Sequence, residues 1–112
     1  MEFNEVLALR KSVRRYTKEI VSREDEKAML DAAMASSVGK HNDGGYNLVV
    51  VRDREILDLI AKEEKEETGG GDPLFGAPLL FLICRTKEAV DYLMRYDAGI
   101  IAEHIHLKAA EL

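Results

Sequence analysis

The stretch Phe3-Asn4-Glu5-Val6-Leu7-Ala8-Leu9-Arg10-Lys11-Ser12-Val13-Arg14-Arg15-Tyr16 passes directly from an apolar helical pattern into a dense basic run. Phe3, Val6 and Leu7 recur at helical spacing, with Glu2 and Glu5 near the positive end of the dipole, so residues 2–10 are predicted as a short amphipathic helix. A helix this short is marginal alone, so Phe3, Val6 and Leu7 must dock on something. Arg10, Lys11, Arg14 and Arg15 then place four cations in six positions. Arginine offers a planar fork for bidentate contact with a phosphate, lysine a point charge, and Ser12 a hydroxyl. Arg10 and Arg14, four residues apart, can bracket one anion if the turn is compact. From the residues alone three readings stay open: an anion-holding corner, a basic surface patch without a ligand, and a nucleic-acid contact. The last has no aromatic platform or second basic stripe to support it.

Outward from this run, residues 11–21 are irregular. Ser22-Arg23-Glu24-Asp25 then reads as a capping box with Asp in the third helical position, opening a helix to about Ser36. Ile20 or Val21 is placed to staple onto its first turns. Residues 37–45 are loop by composition. Tyr46–Val51 is a strand whose Leu48-Val49-Val50-Val51 is apolar on both faces, which predicts a central position. Asp53 caps a helix from Arg54 to about Glu64 with Ile56, Leu57, Ile60 and Ala61 on one stripe. The acidic run Glu63 to Glu67 is a solvated face, and Gly69-Gly70-Gly71 a break. Pro78 opens a second apolar strand, Leu79–Cys84, in which Cys84 is expected as a packed thiol. From Lys87 the chain is helical, in two pieces meeting near Tyr96-Asp97. The last piece is apolar over more than one face, so it is expected buried, in a core or between subunits, with Ile101, Ile105 and Leu112 as the residues that would line an interface.

The chain has 112 residues, which fits one domain, 1–112, with no room for a second core. A net charge of −5 argues against general attraction to nucleic acid. There is neither an apolar leader nor a run of about 18 apolar residues, and the single cysteine has no internal partner. A reduced, cytoplasmic protein without membrane contact is the expectation. His104 and His106 point to different helix faces and make a poor metal pair, and no metal site is signalled. Asp91, Tyr92, Tyr96 and Asp97 carry acid–base chemistry in principle, but at helical spacing they read as exposed residues or caps.

The order of these pieces resembles the FMN-dependent nitroreductase family. Phe3 through Tyr16 is similar to its opening helix and Arg-x-Ser-x-Arg flavin turn, and Val21-Ser22-Arg23-Glu24-Asp25 through Leu30-x-Ala32-Ala33 to its second helix. Val49-Val50-Val51-Arg52-Asp53 and Gly76-Ala77-Pro78 resemble its first strand exit and next strand entry. Asp97-Ala98-Gly99-Ile100 with Leu107-x-Ala109-Ala110 resembles its long central helix. The resemblance implies a nitroreductase-like α+β fold, a small central sheet flanked by helices with a long central dimerisation helix, truncated before the family's C-terminal part. It implies an obligate homodimer that passes hydride from NAD(P)H through bound FMN to a nitroaromatic, quinone or similar small-molecule electron acceptor. Carried over by position, Arg10, Lys11, Ser12 and Arg14 hold the FMN phosphate and ribityl chain, and Ser37 and Asn42 are the nearest matches for the second flavin-contacting loop. The alternative is a module of the same fold that binds flavin or a nucleotide, or only its own copy, without turnover.

Overall fold

The computed structural model describes residues 1–39 and 43–112. Four α-helices and two strands follow one another as α1 (Phe3–Leu9), α2 (Arg23–Met34), β1 (Tyr46–Val51), α3 (Arg54–Thr68), β2 (Leu80–Arg85) and α4 (Met94–Glu111). Short 3-10 turns precede β1 and α4. The strands form a two-stranded sheet. The Thr86 amide, just past β2, donates to the Gly45 carbonyl, just before β1, at 2.8 Å, so the strands run antiparallel. The chain divides into two compact units, one of residues 1–11, 22–48 and 83–112, the other of residues 12–21 and 49–82.

In the first unit α4 packs mainly on α2 and secondarily on α1. Ser22 begins α2 as its sequence requires, its hydroxyl accepting the Asp25 amide at 3.0 Å. Met29 and Ala33, one turn apart, are its buried residues, and Val6, Ala89 and Ile101 complete the apolar core. Of the three α1 residues expected to dock, only Val6 is buried; Phe3 stays 65% and Leu7 47% exposed. Ile101 is 4% exposed within this unit, so it belongs to the core and not to a subunit interface. The helical piece expected from Lys87 is not formed: residues 87–89 are turn and bend, and the 3-10 turn at residues 91–93 passes straight into α4 at Met94.

The second unit is built on α3. Asp53 caps it, one carboxylate oxygen accepting the amides of Glu55 at 2.8 Å and Ile56 at 3.3 Å. Leu57 is fully buried, whereas Ile56 on the predicted stripe is 48% exposed. The helix runs four residues past the expected end. Its charged last turns cost little in water, and Gly69, at φ 72, supplies the left-handed cap that ends it. Beyond it, the Ala77 amide donates to the Leu74 carbonyl at 2.9 Å and closes a turn whose central residues, Phe75 (φ 52) and Gly76 (φ 73), are both left-handed. Such a primed turn favours Asn, Asp or Gly, and a left-handed residue with a side chain costs roughly 1–2 kcal/mol.

Two strand expectations change. With two strands among the described residues, β1 alternates half-buried and exposed positions, and Val49 is 43% exposed. Cys84 is exposed and not packed. It follows the alternation of β2 from Leu82, also exposed, to the outward face, which the apolar run Leu79–Ile83 concealed. No helix among the described residues is long and apolar enough to cross a membrane.

Leu57→Ala should lower the unfolding free energy by about 2–5 kcal/mol, the usual loss for a leucine in a packed core. Urea denaturation checks this, and a loss below about 1 kcal/mol would exclude Leu57 as the centre of its unit.

Candidate functional site

Arg10 closes α1, its amide donating to the Val6 carbonyl at 3.0 Å. Its Nε lies 4.0 Å from Glu103 of α4, a loose and half-exposed pair that leaves the guanidinium available. The neighbouring Lys11 carbonyl accepts from Nε2 of His106, also on α4, at 3.1 Å, which fixes the His106 tautomer with the proton on Nε2. The entrance to the basic turn is therefore held by α4, through a backbone carbonyl and not through its cationic side chains.

Ser12 and Arg14 follow in the second unit, on residues without helix or strand. The side chains of Lys11, Ser12, Arg14 and Arg15 are exposed and make no hydrogen bond or ion pair with another described residue. Cations not neutralised by the protein's own acids suit an anionic ligand, and the donor set of guanidinium, ammonium and hydroxyl groups fits the phosphate and ribityl oxygens of FMN. The predicted residues thus fall on both sides of the division between the units, Arg10 and Lys11 in one, Ser12 and Arg14 in the other. Ser37 is exposed just past the end of α2. Asn42 lies outside the described residues, as does His41.

The residue that organises the approach to Ser37 is one for which the sequence predicted an ordinary exposed or capping role. Asp97, in the first turn of α4, is 3% exposed. One carboxylate oxygen accepts the Gly39 amide and the other the Tyr46 hydroxyl, both at 2.8 Å. The chain passes close to the start of α4 here: a Cβ on Gly39 would stand 2.5 Å from Cδ1 of Leu93, whose side chain would have to shift. The neighbouring Ser36 is buried, with no hydrogen-bond partner for its Oγ among the described residues. It lines a cavity of about 30 Å³ together with Ala33, Tyr46 and Ile101. Room for one water is enough to satisfy that hydroxyl. Tyr92 and Tyr96 are exposed, in keeping with their sequence reading. No three His, Cys, Asp or Glu side chains gather as a metal site among the described residues.

Burial, then the hydrogen bond to Asp97 and its negative charge, raise the Tyr46 phenol above its ordinary pKa. A phenol that holds its proton more tightly when folded contributes stability below the unfolded pKa of about 10, and that contribution is lost as the pH rises through the folded value. Tyr46→Phe should therefore cost about 1–2 kcal/mol at neutral pH, and the gap to the natural protein should narrow above pH ~10. Urea denaturation at both pH values decides it; a gap independent of pH would remove Tyr46 as the titrating donor.

No family model matches the sequence, and no curated protein matches it. Solved structures do. An FMN-dependent nitroreductase from Clostridium difficile R20291 is 32% identical, covers 95% of this chain and 59% of its own, and superposes with a TM-score of 0.81. A nitroreductase with bound FMN from Bacteroides fragilis NCTC 9343 is 19% identical over 99% of this chain and 65% of its own, with a TM-score of 0.85. A protein from Clostridium acetobutylicum, described as a proposed NADH oxidase, is 25% identical over 93% of this chain and 61% of its own, with a TM-score of 0.80. The chain carries the nitroreductase fold and spans about three-fifths of the length of these structures.

Proposed function

We infer that this chain, which has the nitroreductase fold over nearly all its residues, is the flavin-holding portion of an FMN-dependent oxidoreductase, its 112 residues acting as one domain. The observation that carries the reading is the match of 95% of the chain to an FMN-dependent nitroreductase at 32% identity. The uncompensated cations of the basic turn support it.

Arg10, Lys11, Ser12 and Arg14 would bind the phosphate and ribityl chain, and Ser37 and Asn42 would contribute hydrogen bonds from the second loop. Bound FMN would supply the hydride chemistry, accepting from NADH or NADPH and giving to a nitroaromatic, quinone or similar small molecule. The chain's own part is to hold and orient. Charge-assisted bonds from Arg10 and Arg14 fix the phosphate end, the Lys11 carbonyl bond to His106 steadies the turn's entrance, and Asp97 tethers the loop at Gly39. A phosphate corner of this kind discriminates sharply between FMN and riboflavin. Arg14→Ala should weaken FMN binding about tenfold or more while leaving riboflavin unchanged, as removal of a charged hydrogen bond requires. Equal affinity of the natural chain for the two flavins, measured by fluorescence quenching, would eliminate the corner. Bleaching of the bound flavin by NADH or NADPH without oxygen would support turnover, and FMN binding without bleaching would favour the non-catalytic module.

The working form is a homodimer in this reading. The exposed apolar face of α1, Phe3 and Leu7, is surface that a second copy can cover. Leu7→Asp should give monomers in sedimentation velocity with a lowered melting temperature, since a dimer's stability includes its interface. A dimer that persists in that variant would show that α1 takes no part in the interface.

A further inference from the structure

The second unit contains a cleft of about 740 Å³ that none of the described residues assigned to the flavin lines. Its apolar walls include Tyr16, Ile20, Phe75 and Pro78, and its cations are Lys18, Arg52 and Arg54. No acid lines it. Of the nearby acids, Asp53 caps α3 and Asp58 pairs with Arg54 at 3.0 Å, while Glu19, between Lys18 and Ile20 in sequence, is exposed and does not line the cleft. Arg52 is braced in place, its Nη1 donating to the Val21 carbonyl at 3.0 Å. Lys18 is exposed and makes no hydrogen bond or ion pair with another described residue.

Two features are poorly explained by folding alone. Ile20 is 84% exposed, although the sequence offers it as a staple for α2. Phe75 occupies a left-handed position that suits Asn or Gly, yet its ring is 45% exposed and so recovers only part of the usual burial energy. Backbone strain kept for an exposed ring is the pattern found at ligand sites. A second cleft of about 550 Å³, beside Tyr92 and Tyr96 in the first unit, has a similar mixture of side chains. There, however, Asp91 lines the wall and pairs with Arg85, so the cationic character is weaker.

We propose that the cleft lined by Tyr16, Lys18, Arg54 and Phe75 binds a small planar aromatic carboxylate, its ring against Phe75 and its charge toward Lys18, whose ammonium, unlike the Arg54 guanidinium, is not held by Asp58. The volume suits a small organic molecule, and the pairing of apolar walls with a few convergent cations selects an anion with a flat hydrophobic body.

The test is a titration of the isotopically labelled chain with 1-naphthoate, followed by amide chemical shifts, beside the neutral 1-naphthalenemethanol. Naphthoate should shift residues 16–20, 52–54 and 75–78 saturably, bind at least tenfold more tightly than the alcohol, and be indifferent to saturating FMN. Phe75→Asn, which keeps the left-handed turn, should retain or raise the melting temperature and weaken naphthoate at least tenfold. Lys18→Glu should weaken the anion and leave the alcohol unaffected. Shifts outside those segments, equal binding of the alcohol, displacement by FMN, or undiminished binding in Phe75→Asn would each overturn the proposal. So would a lowered melting temperature in Phe75→Asn, which would make the ring a packing element.

Discussion

A carboxylate at 3% exposure must be answered by donors, and Asp97 is answered by two: the Gly39 amide and the Tyr46 hydroxyl. Neither is close in sequence, so the bond pair joins the end of one loop, the start of β1 and the first turn of α4. The position is favourable for a negative charge, since the amino end of a helix carries partial positive charge. The helix that Asp97 anchors is eighteen residues long, about 27 Å at the usual rise. That length lets α4 bring Glu103 and His106 to Arg10 and Lys11 two to three turns farther on. One buried acid thus fixes the helix that serves both the loop after α2 and the entrance to the basic turn.

The basic turn combines a firm backbone entrance with loosely held side chains. Its cations face water, where their fields are screened within roughly 10 Å at ordinary salt. They therefore act at contact range, on an anion already in place, and have little reach beyond it. In the proposed reading, such a turn would leave the redox step to the cofactor and give the polypeptide the work of orientation.

Local signals in the sequence were enough for the starts of α1, α2 and α3 and for the first strand. Ser22 and Asp53 act as caps through contacts two or three residues away, and Tyr46–Val51 is bounded as its composition requires. The basic turn was visible as charge density. What could not be read depends on distant partners. Asp97 is indistinguishable by spacing from an exposed helical acid until Tyr46, 51 residues earlier, is brought against it. Cys84 sits in an apolar run, and only the pairing of the strands decides which face it takes. Phe75 gives no sequence signal, because its left-handed backbone contradicts its residue type. A Phe-Gly pair between a glycine-rich break and a strand is the trace it leaves.

In a sheet of two strands, each strand spends one row of backbone amides and carbonyls on its neighbour and has another row facing away. β1 and β2 are rich in valine, leucine and phenylalanine, without an internal proline or glycine to blunt those outer rows. Such rows are templates for a further strand. Polypeptide that supplies one satisfies them; without it, chains at high concentration can supply one another. The yield of well-behaved protein then becomes a competition between the correct strand and its imitators, governed by concentration and time spent unpartnered.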